Sequence, residues 1–171
     1  MSKNRRYSND AQILGMVMVG MADAINLTVN DIGEVMKKYG FDNIDPEAWY
    51  SVNDLVDFFD ELDGLPSGMF DLAAVGKFIA NDLQLPDHIT TMEAYLNFSV
   101  SLYDQVHRGG DVGRLGYKRS GKTHIVEADV PYPPNYMYGL YFGLAQRFID
   151  GGFNIQHDVQ PDKQILRIIE D

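Results

Sequence analysis

One short stretch of the chain contains the residues best suited to binding an anion. They are His107, Arg108, Gly109, Gly110, Asp111 and Arg114. A histidine at a helix C-terminus is stabilised by the helix dipole, and two adjacent glycines allow backbone shapes that other residues do not adopt, so backbone amides, His107 and Arg114 could form an anion pocket. The alternative is a plain helix end followed by a strand, with Asp111 paired to Arg108 or Arg114. No phosphate-loop pattern surrounds the glycines, so the anion site, and an enzyme acting on an anion through it, remains the weaker hypothesis.

A second group of side chains is suited to a small apolar or aromatic ligand. Its members are Tyr117, His124, Tyr132, Tyr136, Tyr138 and His157. Aromatic rings with polar tips supply what a small-molecule pocket needs, namely apolar walls with a few hydrogen-bonding groups. The alternative is that these rings are ordinary core residues and that each histidine has a local partner. His124 and His157 could converge on a metal, but no metal-ligand spacing supports this, so we predict no metal site.

Catalysis has little support in the sequence. Gly-x-Ser-x-Gly is absent, and the carboxylates fall on helical segments where solvent exposure is expected. We therefore predict no catalytic residue.

Composition excludes several partners and chemistries. The chain has 25 acidic and 14 basic residues, a net charge of −11, which disfavours nucleic acid and anionic lipid as partners. It has no cysteine, so disulfides, thiolate metal sites and cysteine nucleophiles are excluded. No apolar run approaches the ~20 residues that span a bilayer. We expect a cytoplasmic protein of one domain over residues 1–171, with residues 1–8 frayed.

Residues 9–106 are predicted to be helical, in five helices. Apolar spacing predicts the first over about 10–26, although Met16–Val19 could be extended instead. Thr28 or Asn30 could begin the second helix, and Ser67 a later one. Asp45-Pro46 is a typical helix start. The string Thr90-Thr-Met-Glu93 is a capping box that predicts a helix ending near Val106.

Residues 107–171 are predicted to form a sheet with one helix. Val112–Arg119 and Lys122–Val130 read as strands joined at Ser120-Gly121, and Phe153–Gln160 and Lys163–Ile169 form a second hairpin. A helix from Asn135 to about Asp150 lies between them. The predicted fold class is α+β, with N-terminal helices packed on an antiparallel sheet made of two hairpins flanking one helix.

Three strings carry a resemblance to a known group of proteins: His107-Arg-Gly-Gly-Asp-Val-Gly-Arg114, Val130-Pro-Tyr-Pro-Pro134, and Tyr138-Gly-Leu-Tyr-Phe-Gly-Leu-Ala145. With the upstream segment Pro46–Leu55, the chain resembles bacterial sensor-like domains related to the heme NO-binding and four-vinyl-reductase domains, a superfamily that includes TRAPP subunits. The resemblance implies a pocket between helices and sheet, ligand sensing and a homodimer.

The sequence departs from this group at its cofactor motifs. Heme NO-binding domains carry Tyr-x-Ser-x-Arg, and the nearest string here is Tyr117-Lys-Arg-Ser120. Four-vinyl-reductase domains often have cysteines near their C-terminal end, and this chain has none. We therefore predict no cofactor and expect heme to be unlikely. The first functional hypothesis is a small-molecule sensor without catalysis; the alternative is a structural or interaction module with no ligand.

Overall fold

The structure is a computed structural model that describes residues 6–28, 32–65 and 71–171. Its helices are α1 (Gly15–Thr28), α2 (Gly33–Lys38), α3 (Val52–Asp63), α4 (Leu72–Asp82), α5 (Met92–Val106) and α6 (Pro134–Phe148). Its strands are β1 (Gln12–Leu14), β2 (Trp49–Ser51), β3 (His107–Arg108), β4 (Arg114–Ser120), β5 (Thr123–Asp129), β6 (Phe153–Val159) and β7 (Gln164–Glu170). The predicted α+β class and the order of helices, hairpin, helix and hairpin are confirmed.

The main sheet is antiparallel, with strand order β4-β5-β7-β6. Alternate residues of β5 and β7 are buried, among them Val126, Ala128, Leu166 and Ile168. Strands with period-two alternation bury one face, and the core therefore lies on the helix-covered side of the sheet. In that core α6 contributes Tyr141 and Leu144, and α3 contributes Phe59 and Leu62.

Side-chain caps fix the start of three helices. Ser51 Oγ accepts from the Asp54 amide at 3.2 Å, an Asp71 carboxylate oxygen accepts from the Ala73 amide at 2.9 Å, and Thr91 Oγ1 accepts from the Ala94 amide at 3.1 Å. Such caps satisfy amides that have no partner within the helix. The helix predicted from the string Thr90–Glu93 is present, but its cap is Thr91 rather than Thr90 and Glu93 lies at the second helical position, so the capping-box prediction is wrong by one residue.

The N-terminal half departs from the prediction in its strands and at Tyr7. A small sheet of order β2-β1-β3 joins residues that are distant in sequence, with Gln12 opposite Arg108 and Ile13 opposite Tyr50. The region 9–106 is therefore not wholly helical, and Asp45-Pro46 precedes a strand rather than a helix. Tyr7 is buried, and its amide donates to Asn53 Oδ1, so fraying does not extend to that residue.

Smaller corrections concern helix starts. Asn30 and Ser67, two predicted caps, lie outside the described residues, and Thr28 is the last residue of α1. The helix α6 begins one residue before Asn135, at Pro134. Within the described ranges, no helix is both long and apolar enough to cross a membrane.

Candidate functional site

His107 is a buried histidine at the end of α5 with a hydrogen bond on each ring nitrogen. Its Nδ1 lies 2.9 Å from the Tyr103 carbonyl oxygen and its Nε2 lies 3.1 Å from the Tyr132 hydroxyl. A carbonyl oxygen only accepts, so the proton is on Nδ1, and Nε2 accepts the hydroxyl proton of Tyr132. The imidazole also stacks on the Tyr103 ring at a centroid distance of 3.9 Å. One lone pair of a neutral histidine is thus directed at Tyr132.

Burial keeps both members of this pair uncharged. Desolvation lowers the pKa of His107 to about 4, against a smaller opposing effect of the Tyr103 carbonyl. Desolvation also raises the pKa of Tyr132 well above its ordinary value. At neutral pH the pair is therefore a phenol donating to an imidazole lone pair.

A cleft of about 470 Å³ opens beside Tyr132. Its walls come from the end of α3, the start of α4, the proline-rich connection 131–134 and the turn between β6 and β7. Phe59, Val130 and Tyr132 supply apolar surface. This volume falls within the range of small-molecule sites.

The charge of the cleft is negative. Asp60, Asp63, Asp129 and Asp162 line it, and Lys163 is the basic residue among the described lining residues. Any ligand must therefore accommodate several carboxylates near the opening.

The predicted ligand-binding residues fall in three separate places. Tyr132 lines the cleft. Tyr136, one helical turn further along, is buried and packs against Tyr132 and Phe59. The other four form two pairs elsewhere, Tyr117 with His124 and Tyr138 with His157.

The first of these pairs lies across β4 and β5. The Tyr117 hydroxyl is 2.8 Å from His124 Nδ1, and His124 Nε2 is 2.7 Å from a Glu170 oxygen. Because a carboxylate only accepts, Nε2 carries the proton and Nδ1 accepts from Tyr117. This histidine is fully committed to partners in the sheet, and the string Tyr117–Ser120 is not part of the cleft.

The second pair is connected to the cleft through Gln164. His157 Nε2 is 3.0 Å from Gln164 Oε1, and Gln164 Nε2 donates to the Tyr132 carbonyl oxygen at 3.0 Å. His157 and His124 do not converge, because β7 lies between their strands. Gln164 was not among the predicted site residues; its signal in the sequence is a polar residue at an inward-facing position, two before Leu166.

The glycine-rich stretch does not form an open anion site. A Cβ at Gly109 would overlap the carbonyl oxygen of Asp10, and one at Gly110 would overlap Ser8. Both glycines have positive φ, and the segment they pack against, 8–11, occupies the space where an anion would lie. Arg108 instead stacks over Trp49 at 4.0 Å and donates to Gln12.

Comparison with solved structures places this fold among H-NOX domains. A variant of Tt H-NOX matches with a TM-score of 0.69 at 17% identity, over 92% of this chain and 94% of that one. An H-NOX protein from S. oneidensis in the Fe(II) ligation state matches with a TM-score of 0.64 at 16% identity, over 93% and 96%. An oxygen-binding H-NOX domain related to soluble guanylate cyclases gives 0.57 at 16%, over 90% and 92%.

Neither a family model nor a curated protein matches the chain. At these identities the solved structures establish the fold, and the predicted resemblance to heme NO-binding domains is confirmed at that level.

The comparisons also correct one expectation. Heme was expected to be unlikely because of the missing Tyr-x-Ser-x-Arg string and the absent cysteines. Yet one similar structure, with a TM-score of 0.66 over 92% of this chain, is described as "Modulating Heme Redox Potential Through Protein-Induced Porphyrin Distortion", and another concerns heme distortion in the H-NOX family. Those two motif departures were therefore not sufficient grounds for excluding heme.

Proposed function

We propose that this chain is a small-molecule sensory module without catalysis of its own, and that its ligand lies in the cleft beside Tyr132. The fold supports this proposal, since the similar structures are ligand-binding domains that include an oxygen complex. The cleft supports it too, because its volume of about 470 Å³ and its aromatic wall suit a small organic molecule.

Heme is the ligand to test first, and one observation carries that choice. His107 donates Nδ1–H to a backbone carbonyl and presents the Nε2 lone pair toward a residue of the cleft wall. Histidines that bind metals have this same arrangement, in which a carbonyl or carboxylate orients the ring through its other nitrogen. Among the described residues, His107 would therefore be the one to hold the iron of a heme, through Nε2.

Tyr132 controls access to that lone pair. Its hydroxyl donates to Nε2, so the phenol would have to turn away before His107 could hold a metal ion. When bound, a heme supplies an iron atom that can coordinate a diatomic gas. The contributions of the chain are the oriented imidazole, the displaceable phenol and the apolar wall formed by Phe59 and Val130.

A titration with hemin, followed by absorption spectroscopy, tests the assignment of His107. We expect the wild-type chain to give a Soret band with hemin. His107→Ala should shift that band and lower the affinity for hemin at least tenfold. Tyr132→Phe should strengthen binding of the iron by His107, because it removes the competing hydroxyl. His88→Ala is the control, since His88 is an exposed histidine outside the cleft whose replacement should leave the spectrum unchanged. A Soret band that is identical in wild type and His107→Ala would contradict the assignment of the ligand.

Charge gives an independent test of the cleft itself. The two propionates of a heme would meet four carboxylates and one lysine among the described lining residues. Asp63→Asn should therefore raise the affinity for hemin several-fold, whereas Asp82→Asn, the same charge change outside the cleft, should not. Equal effects of the two variants would place the ligand elsewhere.

The second candidate function is an interaction module that pairs with another chain. The observation that favours it is the open edge of the main sheet along β6, where Val159 is 55% exposed. The two sites are adjacent, since Val159 lies on the strand edge and also lines the cleft.

A further inference from the structure

The two edges of the main sheet differ in how they are protected. The edge strand β4 carries Arg114, Lys118 and Arg119, and Arg119 pairs with Glu93 of the overlying helix α5 at 2.5 Å. The other edge strand, β6, has the sequence Phe-Asn-Ile-Gln-His-Asp-Val, with no lysine, arginine or proline and a single acid. Charged residues and proline are the usual protection against pairing with another strand. The β6 edge lacks it over seven residues.

The backbone hydrogen bonds show which groups of β6 are free to pair. The Asp171 amide donates to the Gly152 carbonyl and the Gln160 amide donates to the Lys163 carbonyl. In an antiparallel ladder, hydrogen-bonded pairs alternate with non-bonded pairs. Because Gly152 and Gln160 are bonded to the β7 side, every second residue between them is bonded to that side as well. Asn154, Gln156 and Asp158 therefore direct their backbone groups to β7. Those of Phe153, Ile155, His157 and Val159 face the open edge, and no backbone bond to another described segment engages them.

This alternation selects one symmetric pairing of β6 with itself. If Gln156 lies on a two-fold axis opposite its own copy, Ile155 pairs with the partner's His157 and Phe153 pairs with the partner's Val159. All four edge-facing residues then form hydrogen-bonded pairs, giving roughly eight backbone bonds. A register shifted by two residues would leave some of these groups unpaired.

The side chains are complementary in that same register. On the outer face, Asn154 lies opposite the partner's Asp158, so that an amide donor meets a carboxylate acceptor twice. On the helix-covered face, the exposed Val159 meets the partner's Phe153, which already packs edge-on against Phe142 of α6. Directly opposed pairs of this kind stabilise antiparallel strands.

We propose that a second copy of this chain occupies the β6 edge, in antiparallel register about Gln156, and joins the two main sheets into one. An isologous interface is the usual basis of a two-fold dimer. The proposal is argued from the strand edge and does not rest on the identity of the ligand, although Val159 also lines the cleft.

Engineered cysteines test the register, because the chain has none of its own. Residues opposite each other in a non-bonded antiparallel pair have Cα atoms about 4.5 Å apart, within the range for a disulfide. We expect Gln156→Cys to form a disulfide-linked dimer on mild oxidation, and Asn154→Cys not to, since its partner residue is Asp158. Crosslinking of both variants alike, or of Asn154→Cys alone, would overturn the register.

The oligomeric state tests the edge without a covalent bond. Light scattering after size exclusion should show a wild-type dimer, and Val159→Lys should weaken it at least tenfold by placing an ammonium beside the partner's Phe153. Val159→Thr, which keeps the branched shape, should remain a dimer. Val159 is exposed, so both variants should fold, which circular dichroism can verify. A wild-type monomer, or a dimer unaffected by Val159→Lys, would overturn the proposal.

Discussion

The proton on His107 resides on Nδ1, and this placement determines what the imidazole can do. The Tyr103 carbonyl fixes the tautomer, and the Tyr132 hydroxyl occupies the remaining lone pair. Neither partner of this pair is charged at neutral pH. His107 and Tyr132 therefore form a neutral, buried and oriented unit in which a ligand has to displace only one hydrogen bond.

The same burial predicts how stability depends on pH. The pKa of His107 is about 4 in the folded chain and near 6.5 in the unfolded chain. The unfolded state therefore binds the extra proton between these values. The contribution of His107 to the free energy of unfolding is fully present above pH 6.5. About 3 kcal/mol of that free energy is lost as the pH falls to 4.

Urea unfolding at pH 7 and pH 4.5 would measure this loss. Wild type and His107→Gln should differ in their pH dependence, and the variant should show the shallower one, because its side chain does not titrate. Other acidic groups contribute equally to both proteins and cancel in the comparison. Parallel pH profiles would show that His107 titrates normally in the fold.

At the scale of elements, the tight contact between α4 and α6 positions the start of α6, where Pro134 and Asn135 line the cleft. A Cβ at Gly76 would overlap the Tyr136 carbonyl oxygen, and one at Gly139 would overlap the Ala73 carbonyl oxygen. The obstructing atoms belong to the backbone, so a larger residue requires the helices to separate. The glycines let the two helix backbones approach each other closely.

Two glycine substitutions, one inside this helix contact and one outside it, should have opposite effects on the free energy of unfolding. Gly139→Ala should destabilise the fold by about 1–3 kcal/mol, since overpacking displaces backbone. Gly20→Ala in α1 should stabilise it by about 0.5–1 kcal/mol, because nothing lies near its added Cβ and alanine is the better helix former. Thermal unfolding of the two variants beside wild type measures both. A neutral Gly139→Ala would mean that the helices are not in close contact.

Patterns of neighbouring residues in the sequence predicted the longer helices and the strands of the main sheet. The string Thr90–Glu93 predicted the start of α5 to within one residue, and the alternation around His124 and His157 predicted their inward faces. The small sheet could not be predicted in the same way. Its strands are two or three residues long, and Gln12 pairs with Arg108, so its stability comes from contacts distant in sequence.

The candidate site was predictable only in part, because it depends on contacts between segments that are distant in sequence. Tyr132 was predicted as a ligand residue and does line the cleft. Grouping it with His124 and His157 required a strand order that the sequence does not contain, because β7 separates β5 from β6. The role of His107 beside Tyr132 depends on a helix end meeting the proline-rich connection, another contact distant in sequence.

Charge also acts at the scale of the whole molecule. A net charge of −11, with four carboxylates around the cleft, opposes anionic ligands and makes their binding dependent on salt. Screening weakens such repulsion, so the affinity for hemin should increase between low and physiological ionic strength. Titrations at two salt concentrations would measure the change, and a decrease with added salt would contradict the repulsive account.

Native mass spectrometry tests the central claim, that this chain binds a small molecule, most directly. The protein would be purified from the organism that encodes it and measured before and after addition of hemin, beside the denatured chain of 19.3 kDa. We predict an excess mass equal to one ligand per chain, diminished in His107→Ala when that ligand is heme. A mass equal to the bare chain or its multiples, both before and after hemin is added, would contradict the claim.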